Sequence, residues 1–218
     1  MGGMTTRLAG ICAALFVILM VVGLTLATDS PDTDAPDQEW LDYVRDDGNL
    51  VRNIIGAYLM VIAAVLFLVF LAAMYRRLRP AEGGDGLWSL VMLVTGVAWA
   101  SALAAGAILN VTTAGAIEFG QAPEPTVETA RWFSQLGFGV FLVGGGLCVA
   151  ASSAALSTLI LQTKTLPAWV GYFGFLAALA MVFAALFIPM IIFGLWMLVL
   201  GIVLVTTSEP AAPAPARA

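Results

Sequence analysis

Histidine is absent from these 218 residues. That removes haem held by histidine, most zinc and copper sites, and catalysis by a histidine base. Cysteine is scarce: Cys12 and Cys148 both lie inside apolar runs. A metal site or disulfide framework needs more ligands or an exposed location, so both read as small core residues. Charged residues make up 11% of the chain, against about 25% in a soluble domain. So few cannot cover a water-facing surface, and bilayer must do that job. No ionisable group sits deep in an apolar run, where it would mark a proton or ion pathway. No cofactor, no metal and no nucleic-acid partner is expected.

Hydrophobic residues are plentiful, at 61%. A spanning helix needs about 20 apolar residues, because ~1.5 Å per residue must cross ~30 Å of hydrocarbon. Six such runs predict an all-α, polytopic membrane helix bundle with six transmembrane helices. They form one domain, 1–207, followed by a Pro/Ala-rich tail, 208–218, predicted to be disordered.

Taken in order, 8–27 is the first run. A signal peptide competes for it, with Thr25-Leu26-Ala27 as a weak cleavage site. Its length exceeds the usual ~7–15 residues of such a core, so an uncleaved span is favoured. The loop 29–53 carries eight acids against Arg45 and Arg52. Within it Asp37 is placed to cap a short helix ending at Gly48-Asn49. Trp40, Leu41 and Val44 would lay an apolar stripe on the membrane surface. The second run is 54–75, then the cluster Arg76-Arg77-Leu78-Arg79 and a Gly-rich turn, 81–86. The third run is 87–109. A second long loop, 110–130, ends where Thr126 can cap a helix with Glu128 in its first turn. The fourth run, 131–161, is longer than one crossing requires, so it tilts or emerges. Lys164 closes it. The fifth run is 169–187. Ile188-Pro189 is expected to turn the chain into a short sixth run, 190–205, since one unbroken helix would be near twice the membrane thickness.

Basic residues mark cytoplasmic loops. With Arg76, Arg77 and Arg79 inside, six crossings also put Arg7, Lys164 and Arg217 inside. Arg45, Arg52 and Arg131 are outside, with eleven of the 14 acids. Both termini are therefore expected in the cytoplasm.

Candidate sites are few. Arg52 and Arg131 stand at the outer mouths of the second and fourth spans. They read first as snorkelling interface anchors, and alternatively as paired cations facing an anionic ligand or lipid headgroup. Glu128, one turn before Arg131, is placed to neutralise it. Gln135, one turn further in, is a candidate for lining a cavity. The glycines around Gly137, Gly144 and Gly145 lack the strand and lysine of a nucleotide loop. They read as a smooth face for close helix packing, or a kink. Asp32, Asp34 and Asp37 lack the spacing, glycine and closing glutamate of an EF-hand. Asn110-Val111-Thr112 is formally a glycosylation sequon, without meaning in a bacterium.

The opening Arg7-Leu8-Ala9-Gly10, the acidic loop, Tyr75-Arg76-Arg77-Leu78-Arg79 and Leu166-Pro167-Ala168-Trp169-Val170-Gly171 resemble a group of bacterial six-span membrane proteins of unknown function. The resemblance implies a six-helix bundle and no activity. Eight arginines to one lysine, with abundant alanine, fit a GC-rich bacterium.

Two functional classes follow, both in a bacterial cytoplasmic membrane. One is a non-catalytic component that binds membrane lipids, a membrane-protein partner or a second copy of itself. The alternative is a small carrier or channel for an apolar or weakly polar solute. A cavity reaching Gln135 and Arg131 would favour the carrier, and a bundle packed solid along Gly137, Gly144 and Gly145 the structural role. An enzyme, third, would have to use Glu118, Glu124 or the outer aspartates. Under both leading readings Arg131→Ala leaves the fold intact.

Overall fold

Six helical staves stand in a ring in chain order, and the last closes on the first. The computed structural model describes residues 2–27, 30–121, 123 and 125–207. The tail 208–218 lies outside the described residues. Among those described, every regular element is helical: α1 (Gly2–Ala27), α2 (Asp37–Arg45), α3 (Asp47–Glu82), α4 (Leu87–Glu118), α5 (Val127–Phe138), α6 (Gly145–Thr163), α7 (Ala168–Met181) and α8 (Ile188–Thr206). A π-helical stretch, Gly139–Gly144, joins α5 to α6. Five segments are long and apolar enough to cross a membrane: Thr6–Ala27, α3, α4, Val127–Thr163 and α8. Helix α7 has only 14 residues. The architecture is that of a helical membrane bundle.

Helix α1 packs between α3 and α8, α4 between α3 and α6, and α7 between α6 and α8. Two sets of contacts define the ends. At one, Arg77 donates to Thr6 Oγ1 (3.0 Å) and to the Thr165 carbonyl (3.4 Å). That gathers the start of α1, the end of α3 and the α6–α7 turn into a basic end. The α1–α3 connection and the start of α5 form the opposite, acidic end.

Local chemistry sets most boundaries. Asp46 caps α3 by accepting the Asn49 N–H (2.8 Å). Thr126 caps α5 as its sequence predicts, through the Thr129 N–H (3.3 Å). The α3–α4 turn is closed by Glu82. Its carboxylate accepts the Trp88 N–H (2.8 Å), the Ser89 N–H (3.1 Å) and the Ser89 hydroxyl (2.5 Å). An anion at a helix N-terminus suits the helix dipole. Gly86 at φ +73° completes the turn, and a Cβ there would strike the Arg79 guanidinium.

Several sequence expectations move. Asp37 is not a cap: Pro36 holds that position, and Gly48 lies inside α3 rather than ending α2. Helix α4 runs through Asn110–Glu118, which reads as loop. No proline interrupts it before Pro123, Thr112 bonds its own i−4 carbonyl (2.8 Å), and Ala114 is buried. The last hairpin turns before Pro189, not at it. Phe187 (φ 60°) ends a short 3-10 turn, Ala184–Leu186, and Pro189 sits in the first turn of α8. A proline there loses no hydrogen bond and its fixed φ suits a helix start.

The core is aromatic at its centre. Phe16, Phe67, Trp99 and Phe193, one from each of α1, α3, α4 and α8, pack with ring centroids 4.7 to 6.3 Å apart. All are at most 2% exposed. Around them the staves meet through glycines facing glycines. A Cβ on Gly10 would lie 2.6 Å from the Gly201 carbonyl oxygen, on Gly23 2.8 Å from that of Gly56, and on Gly106 2.7 Å from that of Gly137. Each relation is reciprocal. Without water to drive helices together, such close backbone approach is what association inside a bilayer rests on.

Candidate functional site

The acidic end is covered by a strap, residues 30–46, and Arg131 is what fastens it. The first half of the strap, which its prolines would keep extended, instead folds into a tight turn in which the Ala35 N–H donates to the Asp32 carbonyl (2.9 Å). Its second half is α2, which packs on both α3 and α5. Arg131 projects from the first turns of α5 beneath it. Its Nη1 pairs with Asp37 Oδ1 at 3.0 Å. Its Nη2 donates to the Ala35 carbonyl. Its guanidinium carbon lies 5.8 Å from the centre of the Trp40 ring, in cation–π range. One turn along, Gln135 donates to Thr33 Oγ1 at 2.6 Å.

Trp40 is the strap's apolar anchor, only 2% exposed. Its indole N–H donates to the Asp32 carbonyl (3.1 Å), and its ring meets Tyr43 edge-on at 6.2 Å. The Tyr43 hydroxyl accepts from the buried Asn53 of α3 at 2.7 Å. Of the stripe expected to lie on the membrane surface, Trp40 is turned onto the protein, where it finds a cation and a backbone acceptor, while Leu41 and Val44 stay partly exposed. Asp37, and not Glu128, is the partner of Arg131.

The other candidates fall as follows. Arg52 is half-buried near the start of α3. Gly137 packs on Gly106, as above. Gly145 lies against Trp99 and Ala102, with Cβ distances of 3.1 and 3.2 Å. Gly144 faces outward with nothing within 4 Å, and Gly146 meets Ala184 instead, at 2.8 Å. At the basic end Arg77 is engaged as described, Arg79 donates to the Gly83 and Gly84 carbonyls (both 3.4 Å), and Arg76 is exposed.

Sequence reasoning missed Thr33, Trp40 as an anchor, Tyr43 and Asn53. The available signal was the i, i+3 spacing of Trp40 and Tyr43 on a helix, with one asparagine at the mouth of the next span.

Chemically, the arrangement is a set of donors that hold a segment, with Arg131 Nε buried and left without a hydrogen-bond partner. Among the described residues no group of three or more Cys, Asp or Glu is placed to hold a metal ion. No protein-family profile, curated protein or solved structure matches the chain.

The strap makes a definite prediction: Arg131→Ala should leave the bundle folded, as expected, and loosen residues 30–46. Losing a charge-assisted hydrogen bond removes ~1.5–3 kcal/mol. The pair with Asp37, whose side chain is 71% exposed, adds under about 1 kcal/mol. Amide exchange in 30–46 should therefore quicken roughly 30-fold in Arg131→Ala, for about 2 kcal/mol. The α3 and α4 amides should stay protected. Arg131→Lys should restore only part, since one ammonium cannot serve Asp37 and Ala35 in the same forked geometry. Unchanged exchange in 30–46 would remove Arg131 from this role.

Proposed function

We propose that this is a non-catalytic integral membrane component, six-spanning with both termini cytoplasmic, that binds a lipid or protein partner through its outer faces. The observation that carries it is the filled centre: Phe16, Phe67, Trp99 and Phe193 occupy the axis along which a solute would pass. The polar groups that would line a path are committed elsewhere. Gln135 holds Thr33, and Arg131 holds the strap.

A sixth crossing is supported by how deep the last hairpin reaches. It leaves the basic end at Thr165, and its tip places Ala184 against Gly146 and Phe187 5.7 Å from Phe138. Gly146 is 17 residues from the end of α6, or ~25 Å along the helix. The tip therefore stands beyond most of the ~30 Å of hydrocarbon. Helix α8 then returns, bringing Gly201 to Gly10. The sidedness rests on the basic end being cytoplasmic. Membership of the bacterial six-span group, and a bacterial cytoplasmic membrane as its location, belong to the same proposal and rest on the sequence motifs.

Native mass spectrometry of the gently solubilised protein is the test. A protein or lipid that stays bound, without a small solute, is the expected result and identifies the partner. A stoichiometric small molecule would replace this reading with the carrier.

A further inference from the structure

We propose that the basic end binds the phosphate of an anionic phospholipid through Arg7, Arg76 and Lys164. The inference rests on the membrane reading above and makes its lipid partner specific.

The Arg77 guanidinium draws these three residues together. It donates to Thr6 Oγ1 and to the Thr165 carbonyl. The chain neighbours of those two partners are Arg7 and Lys164, and that of Arg77 itself is Arg76. All three neighbours are exposed. Like charges gathered in one patch repel, and an anion placed among them removes that cost. The described acids at this end are engaged elsewhere. Glu82 caps the start of α4, and Asp85 accepts the Leu87 N–H (3.2 Å) beside it. Among the described residues no acid pairs with Arg7, Arg76 or Lys164. Lys164 also closes α6 at φ +53°, a left-handed position that glycine ordinarily fills. A lysine is strained there as glycine is not, and what it supplies in return is a charge.

Height in the bilayer chooses the source of the anion. Arg7 lies on the same face of α1 as Ile11 and Ile18, by helical spacing, and Arg76 on the same face of α3 as Val69 and Val65. All four apolar side chains are exposed, so each arginine ends a stripe that faces lipid. It stands where hydrocarbon gives way to headgroups, the level to which long cationic side chains reach. Trp88, Trp169 and Tyr172, exposed near the starts of α4 and α7, mark the same level. Helices α1 and α3 pack side by side, so Arg7 and Arg76 stand at the same end of neighbouring staves. A phosphate carried on acyl chains is already at that height, whereas a free anion would have to leave water to reach it.

The test compares two lipids with the same acyl chains. Phosphatidylglycerol and phosphatidylcholine would each be titrated into the full-length, delipidated protein in neutral detergent, with bound lipid counted by native mass spectrometry. Wild type should bind phosphatidylglycerol the more tightly. Each cation at a membrane surface is worth about fivefold in affinity for anionic lipid. Arg76→Gln with Lys164→Gly should therefore weaken phosphatidylglycerol roughly 30-fold and leave phosphatidylcholine unchanged. Both changes suit the fold, since Arg76 is exposed and glycine relaxes the left-handed position of residue 164. Arg7→Gln, expected to cost about fivefold, repeats the test if the double variant does not fold. Arg45→Gln with Arg52→Gln removes the same charge from the acidic end and should leave the preference intact. Equal phosphatidylglycerol binding by wild type and the Arg76/Lys164 variant would overturn the site while leaving lipid bound elsewhere. Glu209, in the tail outside the described residues, is the competing occupant. A wild type without preference, and a Glu209→Gln protein that gains one, would overturn the lipid in its favour. Neither lipid binding, with a protein co-purified from the membrane, would overturn the site and leave the proposed function standing. Neither lipid nor protein bound would overturn the two together.

Discussion

Gly106→Leu should cost the bundle about 3 kcal/mol or more, at or above the upper end of what overpacking usually costs. A Cβ on Gly106 would stand 2.7 Å from the Gly137 carbonyl oxygen and 2.8 Å from Phe141 Cβ. Neither neighbour can swing aside as the end of a long side chain would, because one is backbone and the other is fixed to it. The only relief is for α4 and α5 to separate. Separation also gives up the weak Cα–H···O contacts of the seam. In a bilayer nothing else presses the helices together, because lipid tails are as apolar as the faces they would cover. Unfolding in mixed micelles, followed by tryptophan emission, is the measurement.

Two comparisons isolate the cause. Gly144→Leu, two turns beyond Gly137 on the outward face, should lie within about 0.5 kcal/mol of wild type. Gly137→Leu should resemble Gly106→Leu, and the double variant should cost less than the sum, since helices already parted are not parted twice. The strap supplies an independent reading. It is held from α5 by Arg131 and Gln135, so moving α5 should also quicken exchange in residues 30–46. A Gly106→Leu protein as stable as wild type would mean the seam is not packed this way.

What the sequence disclosed and what it withheld divide along a physical line. Features fixed within one turn of helix were legible: the Thr126 cap with Glu128 behind it, the αL residue Lys164 closing α6, and the apolar lengths of α1, α3 and the fourth run. Features fixed by a partner far along the chain were not. Arg131 and Gln135 were picked out by position, yet their roles depend on Asp37, Ala35 and Thr33, about a hundred residues away. The glycine run 144–146 was visible, but only a neighbour decides which member packs, and the neighbour chose Gly145 and Gly146. The pairing of Gly10 with Gly201 joins the two ends of the chain and leaves no local trace. Pro189 misled for a different reason. Proline both ends and begins helices, and one residue cannot say which until the turn before it is seen.

The largest effect outside packing is expected from Arg76→Gln, Arg77→Gln and Arg79→Gln together, which should turn a uniform orientation into a mixed one. Basic residues, not net charge, set the bias. Of the nine, the proposed topology makes six cytoplasmic: Arg7, Arg76, Arg77, Arg79, Lys164 and, in the tail outside the described residues, Arg217. Removing three leaves three against Arg45, Arg52 and Arg131, so the bias vanishes and on the order of half the molecules should invert. A reporter on the tail reads this directly. The triple change also removes fastenings, since Arg77 holds Thr6 and Thr165 and Arg79 holds the α3–α4 turn. The all-lysine triple separates the two effects. It keeps the charge and loses the guanidinium fork, so it should stay uniformly oriented while its basic end loosens. Arg76→Gln alone, at an exposed position, should change neither. A tail that stays wholly cytoplasmic in the glutamine triple would show that charge does not orient this chain, and the sidedness proposed for both ends would fall with it.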